Sequence, residues 1–258
     1  MTDEILEEVR DGVLWVTFNR PQARNAFTFA MYDRLEAICG AVSGDGPVRA
    51  VVMTGAGDRA FGAGTDIAAF RAFEGPDDAV AYEARADRVM AAIEGCPVPT
   101  IAAIGGACTG GAAMIAACCD LRLASPALKY GFPIARTLGN ALSAPNLRRL
   151  VALFGTARVQ AMLLAARLME AEEAKACGFV IEVLPDHAAL LARAEALAQT
   201  VAGLAPLTLR ATKEILRRLR DGEPDPDDDP VTRCYTSDDF REGLEAFLAK
   251  RPPRWRGR

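Results

Sequence analysis

The chain has 258 residues, of which 51% are apolar and 25% are charged, and its formal net charge is −4. This length and composition predict one large soluble α/β core. A negative net charge argues against nucleic-acid binding, which needs a basic face. No apolar run approaches the roughly 20 residues of a membrane span. The acidic start at Asp3 and Glu4 lacks the pattern of a signal peptide, so we expect a cytoplasmic protein.

Cysteine and histidine usage gives little support for a metal centre. The seven cysteines are an odd number and have no zinc-finger spacing, so we expect reduced, buried thiols. His187 is the only histidine, and it follows Pro185 and Asp186 at the predicted start of a helix. We expect a solvated surface histidine there, and the sequence predicts no metal site.

The first half of the chain alternates between predicted strands and helices. Strands are expected at 13–18, 48–53, 97–104, 120–124 and 129–132. Helices are expected from Thr28 to Val42, from 76 to 94 and from 112 to 118. Because the strand at 48–53 is almost continuously apolar, a partly parallel sheet covered on both faces is expected.

The second half reads as mostly helical. Apolar spacing typical of helices covers 145–153, 156–165, 171–177, 187–203, 207–219 and 238–250. An acidic, proline-rich connector at 221–230 interrupts this series and is expected to be a solvated loop. We therefore predict an α/β core over 1–200 and a helical region over 201–258.

Two glycine-rich passages join strands to helices. The first includes Gly62 and Gly64, and the second runs from Gly105 to Gly111. Glycine allows positive φ and close approach of a ligand, and the first N–H groups of a helix lack internal partners. Two such donors aimed at one point would hold a developing oxyanion. Ordinary turns and phosphate binding are the alternatives, but no Lys-Ser or Lys-Thr follows Gly111, as a P-loop would require.

These passages, with several others, resemble the crotonase, or enoyl-CoA hydratase/isomerase, superfamily over nearly the whole chain. The matching segments are Asn19–Pro21 with Asn25–Ala26, Ala60–Ile67, Gly106–Gly111 with Cys119–Asp120, Tyr130–Pro133 and Asp238–Leu248. The resemblance implies a ββα spiral core with a C-terminal helical region, assembled as homotrimers or homohexamers. It also implies an acyl-CoA substrate and no cofactor beyond the coenzyme A of that substrate.

The resemblance also implies site residues. The N–H groups of Gly62 and Gly111 match the two donors of the family's oxyanion hole. Residues matching the acyl-CoA contacts are Arg24, Asn25, Ala26, Ala60, Ala63, Gly64, Thr65, Asp66, Ile67, Gly110, Pro133, Ile134 and Arg136. In the hydratases, two glutamates handle the protons of water addition. Here Met114 and Ile134 stand at those two positions.

Because Met114 and Ile134 are apolar, efficient hydration is not expected. The resemblance implies an acyl-CoA enzyme of the hydratase/isomerase type that stabilises an enolate-like intermediate. Isomerisation, decarboxylation, thioester hydrolysis and weak acyl-CoA binding are the alternatives. Arg136 is a candidate for a substrate carboxylate, with a solvated ion pair as the alternative, and Asn140 is a candidate for orienting water or capping a turn. Candidates to replace the glutamates lie on the predicted helix at 76–94, which often borders the acyl pocket in this family: Tyr82, Glu83, Arg85, Asp87 and Arg88. Tyr235 is expected to pack in the core, and the resemblance implies a position near the acyl or pantetheine end of the substrate as the alternative.

Overall fold

Two sheets form the centre of the fold in the computed structural model, which describes residues 3–222 and 229–258. The six-stranded sheet has the order β1-β2-β3-β5-β7-β10, and the four-stranded sheet has the order β4-β6-β8-β9. The strands are β1 (Ile5–Arg10), β2 (Val13–Phe18), β3 (Ala50–Gly55), β4 (Ala60–Gly62), β5 (Thr100–Ile104), β6 (Ala107–Thr109), β7 (Leu121–Ala124), β8 (Lys129–Gly131), β9 (Met169–Glu170) and β10 (Glu182–Val183).

The larger sheet is parallel from β2 through β3, β5 and β7 to β10, and only β1 is antiparallel to its neighbour. Every residue of β3 and β5 is buried. This fits their apolar sequences, because a parallel strand covered on both faces has no polar side. The predicted α/β class and partly parallel sheet are confirmed.

The smaller sheet arises because three long strands each continue into a short one. β3 leads to β4, β5 to β6, and β7 to β8, and the short strands pair in parallel. A helix follows each of the first two short strands. This strand–strand–helix succession places the two glycine-rich passages, at Gly62–Gly64 and Gly110–Gly111, side by side.

Nine α-helices occur in the described residues, and those expected from apolar spacing are all present. They are α1 (Phe29–Ala41), α2 (Pro76–Gly95), α3 (Gly110–Cys118), α4 (Ala144–Leu164), α5 (Ala171–Ala176), α6 (His187–Ala202), α7 (Pro206–Asp221), α8 (Asp229–Tyr235) and α9 (Asp238–Leu248). Thr28 caps α1 by accepting a hydrogen bond from the N–H of Met31. The two segments predicted at 145–153 and 156–165 join into α4, which is kinked at Gly155.

Several elements were not predicted: the strands β1, β4, β6, β9 and β10 and the helix α8. The connector expected at 221–230 is only partly observed: Asp221 ends α7, Asp229 begins α8, and 223–228 lie outside the described residues. The proposed division at residue 200 stays a prediction. Near it, α6 packs on the larger sheet through Leu190, Ala194 and Ala198.

Two expectations about single side chains are wrong. Tyr235 does not pack in the core: it is 65% exposed, with its ring 4.9 Å from that of Phe240, because α8 and α9 lie on the surface of the single chain. His187 begins α6 as predicted, but it is half-buried rather than solvated. Its imidazole packs against Gly105, where an added Cβ would lie 2.9 Å from Nδ1.

All seven cysteines are free thiols, and five of them are buried, as expected for small apolar residues. Burial raises the pKa of the Cys108 and Cys118 thiols well above the usual value. Among the described residues, no helix is both long and apolar enough to span a membrane. Within the same residues, no group of three or more metal-binding side chains is gathered.

Candidate active site

The first glycine-rich passage leaves β4 against the start of α3. Gly62 is buried, and a Cβ added there would lie 2.6 Å from the Cβ of Ala112, so only glycine fits at this distance. Two residues later, Gly64 has a φ of +93°, which an L side chain rarely adopts. Both glycines are therefore required by the geometry of this turn.

The second passage ends where α3 begins, at Gly110, whose φ is +57°. No side chain caps this helix start. The first N–H groups of a helix have no partner within it and lie at the positive end of its dipole. Gly111 supplies one of these N–H groups. The helix thus presents donors and a partial positive charge at its first turn.

The two passages face each other across a short distance. A Cβ built on Gly64 would lie 3.3 Å from the carbonyl oxygen of Thr109 and 3.8 Å from the backbone nitrogen of Gly111. A cavity of about 390 Å³ opens at this junction. Its volume falls within the usual range of small-molecule sites, about 300–1,000 Å³.

The cavity wall is mostly apolar and gathers many of the residues expected at the site. Eight residues that match acyl-CoA contacts or the oxyanion hole line it: Ala63, Gly64, Thr65, Ile67, Gly110, Gly111, Pro133 and Ile134. Met114 also lines it, so both positions that the resemblance matches to the hydratase glutamates border this space. The remaining expected residues, Arg24, Asn25, Ala26, Ala60, Gly62, Asp66 and Arg136, are not part of its wall.

Asn25 supports the first passage from behind. Its side chain is buried and donates hydrogen bonds to the carbonyls of Ala56 at 3.1 Å and Ala60 at 2.8 Å. Its Oδ1 accepts a bond from the N–H of Arg20 at 3.0 Å. All polar atoms of this amide are occupied, so its role in the single chain is to hold β4. Arg24 next to it is exposed.

Asp66 is fixed by Arg20, a contact that sequence patterns did not indicate. The guanidinium of Arg20 lies 2.9 Å from the Asp66 carboxylate and donates to the carbonyl of Ala26 at 2.6 Å. The bond from Arg20 lowers the pKa of Asp66. Together with the cap that Asp66 provides to Ala68, these bonds hold the loop from Gly64 to Ile67.

A chain of three hydroxyls borders the cavity. The hydroxyls of Tyr32 and Thr65 are 2.9 Å apart, and those of Thr65 and Tyr82 are 2.8 Å apart. Burial raises the pKa of Tyr32 and of Tyr82, so both phenols stay neutral at pH 7. The Tyr32 hydroxyl also lies against Gly111, where an added Cβ would come within 1.9 Å of it. Tyr32 was not foreseen as a site residue, because its sequence context is that of an ordinary helix.

Glu83 on α2 is the one charged side chain in the cavity wall among the described residues. It is half-buried, and burial together with the nearby Asp87 raises its pKa. Asp87 is held by Ser143 at 3.1 Å and Asn146 at 3.0 Å, both from the start of α4. Arg85 points away and pairs with Asp33 at 2.8 Å.

The segment after Pro133 covers one side of the cavity. Ile134, Thr137 and Leu138 line it, and Asn140 does too. Arg136 is exposed and lies outside this wall. The segment from Pro133 to Gly139 is folded by backbone bonds such as that from Gly139 to the carbonyl of Ile134 at 2.8 Å.

Two larger cavities lie away from the glycine-rich passages. One of about 800 Å³ lies between α9 and the C-terminal segment and is lined mainly by charged residues. Another, of about 540 Å³, lies between α7 and the end of α3. Neither contains a residue from the Gly62–Gly64 turn, so size alone does not identify the site.

The sequence matches the profile of the family described as enoyl-CoA hydratase/isomerase over residues 8–258. It is 34% identical over 251 residues to a probable enoyl-CoA hydratase of Mycobacterium tuberculosis, covering 96% of this chain and 97% of that relative. A short-chain-enoyl-CoA hydratase of Clostridium acetobutylicum is 27% identical over 253 residues, covering 96% of each chain.

Solved structures give the same result. A structure described as an enoyl-CoA hydratase/carnitine racemase from Magnetospirillum magneticum superposes with a TM-score of 0.90 at 34% identity, covering 99% of this chain and 96% of that one. An enoyl-CoA hydratase from Bacillus anthracis gives a TM-score of 0.88 at 27% identity, covering 99% and 100%. The predicted ββα fold type is therefore confirmed.

Proposed function

Because this chain belongs to the enoyl-CoA hydratase/isomerase family, whose members act on acyl-CoA thioesters, we propose that its 390 Å³ cavity binds the acyl end of such a thioester. The N–H group of Gly111, which lines the cavity, and that of Gly62, which directly precedes the wall residue Ala63, then donate to the thioester carbonyl. These bonds stabilise the negative charge that develops on the carbonyl oxygen when the thioester is converted to an enolate.

One observation carries the proposal: two glycine-rich turns meet at the uncapped start of a buried helix. Gly62 packs too closely on Ala112 to carry a side chain, and Gly111 packs too closely on Tyr32. Seven of the nine residues of α3 are buried, so its first turn is held in place. Donors fixed in this way stabilise a developing charge without reorganising.

The coenzyme A moiety is proposed to leave the cavity along the loop Gly64–Ile67. Ile67 is 62% exposed and also lines the cavity, so it lies at the mouth. The exposed Arg24 is close in sequence to the Arg20–Asp66 contact that fixes this loop. Its guanidinium is a suitable partner for a phosphate of coenzyme A. No other cofactor is proposed.

Hydration is proposed to be a poor reaction of this site. Adding water to an enoyl thioester needs one group to deprotonate the water and one to protonate carbon. Met114 and Ile134 occupy the two family positions for those groups and can do neither. Isomerisation by proton transfer, decarboxylation and thioester hydrolysis are compatible with a cavity that has an oxyanion hole. The alternative to an enzyme is a protein that binds acyl-CoA with little catalysis.

Calorimetric titration with two ligands tests the proposal. Butyryl-CoA has the thioester carbonyl, whereas its thioether analogue S-butyl-CoA lacks it and keeps the rest of the molecule. We expect both to bind and the thioester to bind more tightly, since only it accepts bonds from Gly62 and Gly111. If neither ligand binds at millimolar concentration, the acyl-CoA proposal is contradicted. Equal affinity contradicts the oxyanion hole.

A further inference from the structure

Proton transfer at this site needs a group that the family positions at 114 and 134 do not provide. The described cavity wall offers three titratable side chains, Tyr32, Tyr82 and Glu83. The two phenols are kept neutral at pH 7 by their raised pKa values, so neither is a base at that pH. Only Glu83 can accept a proton under those conditions.

We propose that Glu83 is the catalytic acid–base residue of this chain, acting on C2 of the bound acyl group from α2, a different wall from the two apolar family positions. The proposal rests on the function proposed above, because it needs a thioester in the cavity. It places the proton-transferring group on α2, whereas Gly111 lies on α3, and both residues line the same cavity. Residues of different elements would thus bind the carbonyl and take the C2 hydrogen of the same substrate.

The surroundings of Glu83 suit a carboxylate that exchanges protons. It lies in a mostly apolar wall with Ala86 and Met90 of its own helix. Asp87 is one turn away and is held by Ser143 and Asn146, so the like charge stays near Glu83. Burial and this like charge both favour the protonated form, and the pKa of Glu83 rises toward the pH at which acid–base catalysis is efficient.

The chemical step is balanced without any co-reactant. The Glu83 carboxylate takes a proton from C2, and the electron pair of the broken C–H bond moves into the carbonyl to form the enolate. The N–H groups of Gly62 and Gly111 hold the negative oxygen. Protonated Glu83 then returns a proton to the carbon skeleton, either at C2 or, where a β,γ double bond is present, at C4. The carboxylate is regenerated at the end.

The test is hydrogen exchange at C2 of 3-butenoyl-CoA in D₂O, measured by mass spectrometry. The C2 hydrogens of this thioester are acidified by both the carbonyl and the double bond. We expect wild-type protein to introduce deuterium, and we expect Glu83→Gln to lower the rate at least about 100-fold, as for loss of an acid–base group. Asp77→Asn removes a charge from an exposed position on the same helix and should exchange like wild type.

Binding is measured on the same variants by the rise in melting temperature with butyryl-CoA. Glu83→Gln should keep this rise, since amide and carboxylate have the same shape. A Glu83→Gln rate within about threefold of wild type overturns the role of Glu83 and leaves the proposed function standing. Wild-type protein that binds the thioester but introduces no deuterium overturns it as well. Failure of wild type to bind the thioester contradicts the proposed function itself.

Discussion

At the scale of single residues, the two positions that the family resemblance matches to hydratase glutamates carry the apolar side chains of Met114 and Ile134. Met114 is 2% exposed and borders the cavity together with Ile134. Neither can transfer a proton. Gly62 and Gly111, which we propose to bind the carbonyl, have no room for a Cβ. We therefore propose that the site polarises the thioester carbonyl but does not activate water efficiently.

Hydration of crotonyl-CoA should accordingly be far below a typical turnover of about 10 s⁻¹. Each positioned acid–base group contributes about 10²–10⁴-fold, and the two positions that the resemblance matches to such groups hold Met114 and Ile134. The loss of enoyl-thioester absorbance measures this rate. The double variant Met114→Glu with Ile134→Glu should hydrate faster than wild type. Wild-type turnover near 10 s⁻¹ would show that another residue activates water.

The pH dependence of C2 exchange should identify the base. Glu83 acts in its carboxylate form, so the rate falls as the pH drops through its pKa, which is raised. The ionisable groups near Glu83 are those of Asp87 on α2, Tyr32 on α1 and the adjacent Tyr82. The guanidinium of Arg149 on α4 lies 4.0 Å from the Asp87 carboxylate. Asp87→Asn removes the like charge, so the acid limb of the pH–rate profile should move to lower pH. An unmoved limb would contradict this assignment.

At the scale of secondary-structure elements, apolar periodicity was enough to predict most helices and the buried strands of the larger sheet, but not the short buried strand β4. It missed β1, because five of its six residues are exposed and three are charged. It also could not select Glu83 from the five candidates on α2. That choice depends on the rotation of α2 about its axis, which is set by packing against α1 and α3 and is not encoded in the local sequence.

Asn25, which the family resemblance matches to a substrate contact, has a structural role within its own chain. Its side chain holds β4 through the buried carbonyl of Ala60, and its φ of 55° is unfavourable for alanine. Asn25→Ala should cost about 1–3 kcal/mol for the unpaired carbonyl alone. A loss of that size lowers Tm by roughly 2–4 °C per kcal/mol for a chain of this length.

Calorimetric melting of Asn25→Ala checks this expectation, with the exposed Gln22→Ala as its control. The control should melt like wild type. Because β4 carries Gly62, the Asn25 variant should also bind butyryl-CoA more weakly. Equal melting temperatures for the two variants would exclude a structural role for the Asn25 amide.

At the scale of the whole molecule, the C-terminal helices leave apolar side chains uncovered. Phe240, Leu244, Phe247 and Leu248 on α9 are all exposed, and Phe247 reaches 81%. Asp239 fixes the tail beside this helix by accepting bonds from the N–H groups of Arg256 and Gly257. The expected core position of Tyr235 fails for the same reason: sequence shows that a residue is apolar, but not whether its own chain covers it.

We therefore predict that α9 lies at a contact between subunits, in the homotrimer or homohexamer that the family resemblance implies. Exposed aromatic and leucine side chains in one contiguous patch are typical of an interface. Light scattering at micromolar protein concentration measures the mass. Phe247→Asp should shift the population toward smaller species, because it introduces a charge into the apolar contact. A monomeric mass for the wild-type protein would contradict the prediction.

The central claim, that this cavity polarises a thioester carbonyl, is tested most directly by infrared spectroscopy of bound butyryl-CoA labelled with ¹³C at the carbonyl. Gly111→Pro and Gly111→Ala are compared in a Tyr32→Phe background, because any Cβ at position 111 would collide with the Tyr32 hydroxyl. Both variants carry that Cβ, and only proline lacks the N–H. We predict that the carbonyl stretch of the bound thioester lies below that of free butyryl-CoA in wild type and in the alanine variant, and returns toward the free value in the proline variant. A carbonyl stretch in the wild-type complex equal to that of free butyryl-CoA, at saturating protein, would contradict the claim.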